Sequence, residues 1–233
     1  MKVARLHPWD LSTAEAAAVQ TRLAAEVRQG PALGRVDVVA GADVSGGRRG
    51  ETIAAAVVVM RMGTFEVLEV SRAAMRATWP YVPGFLSFRE APVVLEAFRC
   101  LKVRPDLVIC DGQGRAHPRR LGLASHVGLA LAVPTVGCAK SRLIGEVRRE
   151  PPRRRGGRAP LVDGRERIGT ILRTRTGVKP VFVSVGHAID LASAERWVLA
   201  ASPRFRLAEP IREAHRLVSA SGRIDGGGEN RYI

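Results

Sequence analysis

Cysteine is scarce in this sequence, in which only Cys100, Cys110 and Cys138 occur among 233 residues. An odd number of cysteines, all in predicted helix or strand interiors, argues against a disulfide framework and against a zinc site. We therefore expect reduced thiols in the core, no structural metal and a cytoplasmic protein.

Long apolar runs are missing as well. No stretch approaches the ~18 consecutive apolar residues of a transmembrane helix, and the opening MKVARLHPWD lacks the apolar core of a secretory signal. The basic residues do not line an amphipathic helix with aromatic side chains opposite, so a membrane surface is not favoured either. We expect no membrane partner.

Acidic residues are outnumbered, since 37 Lys and Arg against 22 Asp and Glu give a formal net charge of +15. Solubility alone does not require this excess, so it predicts a polyanionic partner, with nucleic acid as the first candidate. The length fits one domain with an ample core. We assign residues 1–220 to a single domain and residues 221–233 to a mobile tail, and we expect a monomer.

The stretch from 105 to 143 carries most of the predicted chemistry. Leu107–Cys110 is a short apolar run that predicts a buried parallel strand ending at Asp111. A helical pattern follows, and Thr135–Ala139 then predicts a second strand. Because consecutive parallel strands joined by one crossover end on the same side of a sheet, Lys140 should lie at the same edge as Asp111.

Each of these residues also has an ordinary structural interpretation. An aspartate after a strand is more often a cap or turn former, and a lone lysine there is usually solvated. However, Asp111, His117, His126 and Lys140 all fall within one crossover unit, where open α/β sheets bind ligands. This density favours a functional site.

The periodicity of the remaining sequence predicts further helices and strands around this unit. We predict helices at 13–28, 85–101, about 121–131, 192–200 and 211–220, and strands at 36–42, 53–62, 64–70, 168–173 and 181–185. The first three strands should form an antiparallel meander. The pattern predicts an α/β fold, in which a mixed sheet combines this meander with parallel strands and is flanked by helices.

Three carboxylates can meet at one edge of this sheet. Asp43 lies near the glycine-rich end of the first strand, Asp111 ends the fourth, and Glu90 comes from the helix between them. Alone, Asp43 is typical of a turn and Glu90 of a helix start. Together they favour a hard cation such as Mg²⁺, with Mn²⁺ as an expected substitute, and the chemistry of phosphodiester cleavage.

A loop of special residues precedes the second predicted helix: Trp79, Pro80, Tyr81, Val82, Pro83 and Gly84. Two prolines on either side of an aromatic residue predict a rigid, protruding loop. A buried aromatic that anchors the loop is the alternative, and the residues alone favour it.

Arginines are concentrated in residues 147–167, VRREPPRRRGGRAPLVDGRER, whose prolines and glycines predict an exposed loop. The arginines concerned are Arg148, Arg149, Arg153, Arg154, Arg155 and Arg158. Only Glu150 is close to them in sequence, so contact with a nucleic-acid backbone is one hypothesis. A solubilising surface loop is the other.

Five blocks of this sequence, in this order and at this spacing, resemble the endonuclease V family. They are Gly41-Ala42-Asp43, YVPGFLSFRE, PDLVICDGQGRAHPRRLGLASHVG, PTVGCAK and VSVGH. The resemblance extends from about Val36 to Ala220. Val82 and Cys138 are conservative departures, Gln113 stands at a variable position, and the arginine-rich loop lies outside the blocks.

The resemblance implies an RNase H-like fold and a magnesium-dependent nick at the second phosphodiester bond on the 3′ side of inosine, leaving 3′-hydroxyl and 5′-phosphate ends. It assigns Asp43, Asp111 and Glu90 to the metal, and Lys140 and His215 to accessory roles near the scissile phosphate. Without the resemblance, a histidine in mid-helix such as His215 is usually structural. The implied partner is inosine-containing DNA, and the choice between DNA and RNA stays open.

The resemblance also implies how the altered base is held. Tyr81, with Pro80, Val82 and Pro83, matches a wedge that fills the gap left by a displaced base, and Gly84, Phe85, Gly112, His117, Gly122 and Leu123 match a pocket for hypoxanthine. Flipping a base out of the stack costs a few kcal/mol, of which an inserted aromatic recovers part. Two alternatives remain: another metal-dependent nuclease on this fold that acts on junctions or RNA, and a non-catalytic nucleic-acid binder.

Overall fold

The structure is a computed structural model that describes residues 1–46 and 51–221. Its helices are α1 (Thr13–Glu26), α2 (Leu86–Cys100), α3 (Leu123–Leu131), α4 (Leu191–Ala200) and α5 (Glu209–Ser221). Its strands are β1 (Val38–Ser45), β2 (Thr52–Arg61), β3 (Val67–Arg76), β4 (Leu107–Cys110), β5 (Thr135–Ala139), β6 (Glu146–Val147), β7 (Arg158–Asp163), β8 (Glu166–Leu172) and β9 (Val181–His187). Within these ranges no helix is long and apolar enough to cross a membrane.

The strands of the described residues form one sheet in the order β3-β2-β1-β4-β5-β9-β8-β7-β6. The three-strand antiparallel meander is present as predicted. Parallel pairing joins β1 to β4 and β4 to β5, whereas β9, β8 and β7 continue the sheet in antiparallel fashion. Strands β1, β4 and β5 therefore end at one edge of the sheet, which we call the carboxyl edge.

Helices cover both faces of the sheet, as its alternating apolar side chains require. On one face, α2 and α3 pack against alternate residues of β2, including Val57 and Val59. On the other face, α4 and α5 pack against the intervening residues, including Ala56 and Val58. The predicted α/β fold with a mixed sheet and flanking helices is confirmed.

The exposed loop predicted for residues 147–167 is partly wrong, because β7 and the start of β8 lie within it. Ala159 and Leu161 face inward and pack with Ile168 and Ile171 in a small core cluster. This period-two pattern spans only a few residues between arginines, which hides it in the sequence. Residues 148–157 alone form the connecting segment.

Two further predictions need correction or fall outside the description. Cys110 and Cys138 are buried, and burial raises the pKa of each thiol to about 12. Cys100, however, is exposed, because it ends α2 on the side away from the core. The mobile tail predicted for 221–233 lies, apart from the last residue of α5, outside the described residues.

Candidate active site

Asp43 and Asp111 are brought together by the parallel pairing of β1 with β4. Ala42 lies opposite Cys110 in this pair, so the two aspartates occupy the next position on neighbouring strands. The backbone N–H of Asp111 donates to the carbonyl of Ala42 at 3.3 Å. Both side chains are largely buried, with 11% and 12% of their surfaces exposed for Asp43 and Asp111.

Glu90 supplies the third carboxylate from α2, which packs over the same sheet. The pKa of Glu90 is raised to about 8, mainly by burial and secondly by the negative charges of Asp43 and Asp111. The carboxylates therefore lie close enough to repel one another. The sequence prediction that three acids share this edge of the sheet agrees with the geometry.

Two cationic side chains lie beside these acids. The Lys140 ammonium, at the end of β5, is 2.5 Å from Asp111 Oδ2. Burial raises the pKa of Asp111 despite this partner. Burial alone would lower the pKa of Lys140, but its hydrogen bond to Asp111 and the charge of that carboxylate raise the pKa above its ordinary value.

His215 reaches the site from α5 on the opposite face of the sheet. Its Nδ1 lies 2.7 Å from Asp43 Oδ2 and donates to this carboxylate oxygen. The approach of α5 depends on Gly41, because a Cβ there would lie 2.3 Å from the backbone carbon of Pro210. The glycine and the aspartate of the Gly41-Ala42-Asp43 block thus have separate roles, in packing and in chemistry.

The carboxylates offer oxygen donors that suit a hard divalent cation. In the described part of the chain, no three His, Cys, Asp or Glu side chains are arranged to hold a metal ion as they stand. Asp111 is paired with Lys140, and Asp43 with His215. The chemistry of the donors fits the expected Mg²⁺, and the mutual repulsion that raises the pKa of Glu90 is what such a cation would relieve. The three-carboxylate metal site stays a prediction.

A cavity of about 420 Å³ opens beside Asp111 and Lys140, within the ~300–1,000 Å³ usual for ligand clefts. Its lining includes the predicted residues Tyr81, Pro83, Gly84, Gly112, His117, Gly122 and Leu123. Gly122 must be glycine, because a Cβ there would lie 2.3 Å from the carbonyl oxygen of Gln113. The cavity wall therefore consists partly of closely packed backbone.

The loop before α2 separates its two aromatic residues. Trp79 is 5% exposed, donates its indole N–H to the carbonyl of Trp9 at 3.0 Å and stacks on Phe85. Tyr81 is 71% exposed at the mouth of the cavity. The anchoring and protruding roles considered for this loop are thus filled by two different residues.

The carbonyl of Gly84 fixes this loop to the rest of the molecule. It accepts hydrogen bonds from Gln20 Nε2 at 2.9 Å, His117 Nε2 at 3.0 Å and Arg119 Nη2 at 3.0 Å. Burial lowers the pKa of His117 to about 4, so the ring is neutral and its Nδ1 accepts from the backbone N–H of Arg119. This anchoring depends on α1, which the sequence prediction did not connect to the site.

Some of the predicted site residues lie away from the cavity, and others were missed. Pro80, Val82 and Phe85 do not line it; the Phe85 ring packs between Trp79 and the Arg119 guanidinium, which is 4.3 Å from the ring centroid. The lining residues not predicted are Leu86, Ser87, Gln113, Ala139, Ser141, Arg142 and Leu143. Each of them lies within three positions of a predicted residue in the sequence, which is the signal that could have identified them.

His126, which the sequence grouped with the site, is instead fully buried behind it. Its Nε2 lies 2.7 Å from Nε2 of His7, and the Trp9 and Phe88 rings pack around this pair. Burial lowers the pKa of His126 to about 3. The histidine pair joins the N-terminal segment to α3 and does not line the cavity.

Comparison with known proteins gives a consistent result. The sequence profile of endonuclease V matches residues 21–216. Endonuclease V of Roseiflexus sp. (strain RS-1) is 48% identical over 217 residues, which cover 93% of this chain and 96% of that protein. The crystal structure of endonuclease V from Streptomyces avermitilis is 40% identical, with a TM-score of 0.88 over 97% of this chain and 100% of the other.

A more distant structure shares the fold. Endonuclease V of Ciona intestinalis, with a D234N substitution in its own numbering, was crystallised with a 23-mer DNA containing an inosine followed by a ribo-adenosine. It is 24% identical, with a TM-score of 0.81 over 91% of this chain and 99% of the other.

Proposed function

The chain belongs to the endonuclease V family of phosphodiester-hydrolysing endonucleases, and we propose that it nicks the second phosphodiester bond on the 3′ side of inosine. The products would carry 3′-hydroxyl and 5′-phosphate ends. We further propose that the reaction needs a divalent cation, Mg²⁺ or in its place Mn²⁺. The role would be repair of deaminated adenine.

The observation that carries this proposal is the position of the carboxylates beside the cavity. Asp43 on β1 and Asp111 directly after β4 lie side by side, and Asp111 also lines the cavity. A phosphodiester next to a base held in the cavity would therefore lie within reach of the acids. Base recognition and backbone cleavage would then occur in adjoining parts of one site.

The three acids are the residues that would hold the cation. When bound, such an ion supplies an activated water and neutralises the charge that develops on the phosphate. Asp43 and Asp111 are fixed by the sheet, and Glu90 approaches from α2. Because these acids come from different elements of the core, their spacing depends on the whole fold and not on one flexible loop.

Lys140 and His215 would act directly on the substrate. Lys140 contributes an ammonium group, and its raised pKa keeps the positive charge at neutral pH, where it stabilises phosphate oxygens. His215 directs Nδ1 to Asp43, which leaves Nε2 to accept a proton from water and, once protonated, to donate to a phosphate oxygen. Each residue thus holds one aspartate and presents a polar group to the substrate.

The cavity and the exposed Tyr81 would together select the base. A flipped hypoxanthine would enter between Gly84 on one side and Gly112 and Gly122 on the other, where backbone groups can approach it closely. Hypoxanthine lacks the exocyclic amine of guanine and carries a carbonyl where adenine has an amine. Tyr81 would occupy the gap left in the stack, and Gly84 is held rigidly enough to keep Tyr81 in position.

The distant Ciona protein supports the choice of ligand, since it has the same fold and binds DNA that contains inosine. Because that DNA also contains a ribo-adenosine, the complex does not decide between DNA and RNA as the substrate of this chain. We propose inosine in DNA as the first candidate and inosine in RNA as the second.

The proposal is tested by incubating the protein with end-labelled duplexes that contain or lack inosine, with Mg²⁺ or with a chelator. We expect nicking of the inosine duplex alone, and only with metal. Asp43→Asn and Asp111→Asn should lose several orders of magnitude in rate and still bind the duplex, because these residues hold metal and do not read the base. Asp37→Asn is the matched control, since Asp37 is exposed and precedes the same strand at its far end.

Other outcomes would favour other functions. Equal nicking of both duplexes would indicate a general nuclease on this fold. Binding without nicking under any metal condition would indicate a non-catalytic nucleic-acid binder.

A further inference from the structure

The carboxyl edge of the sheet continues beyond the candidate active site. Ala139 of β5 lies opposite Phe182 of β9, Val181 of β9 opposite Leu172 of β8, and Leu172 opposite Arg158 of β7. Segment 148–157, the β8–β9 turn at 173–180 and Lys140 therefore all lie at this one edge.

Neighbouring strands are ~4.8 Å apart, so the start of β7 lies three steps, or ~14 Å, from the end of β5. Phosphates of one strand follow at ~3.4 Å along the helix axis, so a duplex whose axis runs along this edge presents about four nucleotides over this distance.

Segment 148–157 is held firmly at this edge. The Arg173 guanidinium donates to the carbonyls of Pro151, Pro152 and Val178. The backbone N–H of Gly177 donates to the carbonyl of Arg153 at 3.0 Å. The segment and the β8–β9 turn therefore form one surface.

Not all arginines of the segment are available to a partner. Arg155 donates to the carbonyls of Leu199 and Ser202 at the end of α4, and Arg158 forms a 2.8 Å ion pair with Glu195. Arg148 also has partners, the carbonyl of Gly164 and the carboxylate of Glu146. Some but not all of the six arginines are therefore paired within the protein.

Besides Arg149, which lies two residues after β6, four exposed basic side chains remain on this surface, which we call the basic edge: Arg153, Arg154, Arg175 and Lys179. Within residues 1–46 and 51–221, none of the four makes a side-chain hydrogen bond or ion pair. The acid nearest in sequence is Glu150. Four unpaired positive charges on a fixed surface attract a polyanion. The free-energy cost of removing their hydration water is offset only by contact with anionic groups.

The basic edge is joined to the active site through Arg206. Its guanidinium donates to the carbonyl of Lys140 at 2.6 Å and to that of Pro180 at 2.9 Å. Pro180 follows Lys179 directly. The charge of Lys140 and that of the basic edge therefore lie along one continuous, rigidly connected path.

We propose that the basic edge is a binding site for the phosphate backbone of the substrate, about four nucleotides away from the scissile phosphate. The inference depends on the proposed function in one respect only, namely the position of the scissile phosphate from which the distance is counted. The ligand is the sugar–phosphate backbone of DNA, bound without base contacts, so the site adds affinity equally to inosine and unmodified duplexes.

The test compares two triple variants that lose the same charge. Arg153→Ser/Arg154→Ser/Arg175→Ser removes most of the basic edge. Lys102→Ser/Arg104→Ser/Arg165→Ser removes three exposed charges at the opposite edge, before β4 and in the β7–β8 turn. Binding to inosine and unmodified duplexes is measured against salt concentration, together with thermal unfolding and the nicking rate at saturating substrate.

For the first variant we expect the slope of log affinity against log salt to fall by about 1 to 3 units, or ~0.9 for each lost contact. If the variant and the wild-type protein bind equally at ~1 M salt, the affinity of the variant at ~0.15 M salt should be about 5-fold lower than that of the wild type for each lost contact. The nicking rate at saturation should not change. Replacing the same three arginines by lysine should restore the slope, because charge and not the guanidinium geometry is required.

Duplex length locates the site. Duplexes are shortened separately on the 5′ and on the 3′ side of the scissile phosphate. On one of these two sides, the effect of the first variant should disappear when the duplex ends within about three nucleotides of that phosphate, and it should return on longer duplexes. An unchanged salt slope, an equal effect of the control variant, or a loss independent of duplex length would each overturn the proposal. These binding data do not require cleavage, so a failure to nick inosine would refute the proposed function and leave the basic edge to be judged separately.

Discussion

Glu90 should release a proton when the candidate metal site is filled. With its pKa raised to about 8 by burial and by the neighbouring aspartates, about nine-tenths of Glu90 is protonated at pH 7 in the metal-free protein. A carboxylate must be deprotonated to bind a cation. Binding at pH 7 should therefore release about 0.9 proton, and the apparent affinity should rise about tenfold per pH unit until pH reaches about 8.

The proton count is measured by calorimetric titration of Mn²⁺ into the protein, in two buffers with different ionisation enthalpies. In the Glu90→Gln variant the release at pH 7 should fall nearly to zero, and the affinity should lose most of its pH dependence. Glu96→Gln is the matched control, because Glu96 lies on the same helix but is half-buried and paired with Arg99.

Two results would refute this reasoning. Metal binding without proton release at pH 7 would mean that Glu90 is either ionised already or not a ligand. An equal release in the wild-type and Glu90→Gln proteins would place the proton on another group.

Three further predictions concern other parts of the molecule. Tyr81→Ala should reduce the preference for inosine over unmodified duplex more than it reduces general binding, whereas Phe205→Ala, at another exposed aromatic, should not; equal losses on both duplexes in a gel-shift titration would mean that Tyr81 is a general contact and not a wedge. His126 has its pKa lowered to about 3 in the folded protein, so its contribution to stability is present above its unfolded pKa of ~6.5 and is lost as pH falls; it should account for about 2 kcal/mol of the decrease in the free energy of unfolding by urea from pH 7 to pH 5, and the decrease should be smaller by about this amount in His126→Phe. Gly122→Ala should abolish nicking while circular dichroism still shows a folded protein, because a Cβ there meets the carbonyl of Gln113 in the cavity wall; full activity would show that this wall is not part of the base site.

The sequence predicted the strands that are buried on both faces most accurately. The bounds of β4 and β5 agree with the structure because all their residues are buried, so each strand is a continuous apolar run with clear ends. β7 was missed because only Ala159 and Leu161 mark its inward face among arginines and a proline. The start of β3 was misplaced because Phe65, which has a φ of 59°, belongs to the turn.

The candidate site was predictable to the extent that it depends on strand order. Asp111 and Lys140 follow neighbouring strands of one crossover, so their proximity could be deduced from the chain itself. His215 could not be placed this way, since its contact with Asp43 joins residues 172 positions apart through the packing of α5 on β1. The anchoring of Gly84 by Gln20 is hidden for the same reason, because nothing local in α1 indicates it.

The central claim is that base recognition in the cavity sets the position of the cut at the adjoining acids. The most direct test maps the nick on a series of end-labelled duplexes in which a single inosine is moved one nucleotide at a time. We predict that the nick moves with the inosine and always falls at the second phosphodiester bond on its 3′ side. A nick that stays at a fixed sequence, or that occurs at varying distances from the inosine, would contradict this account.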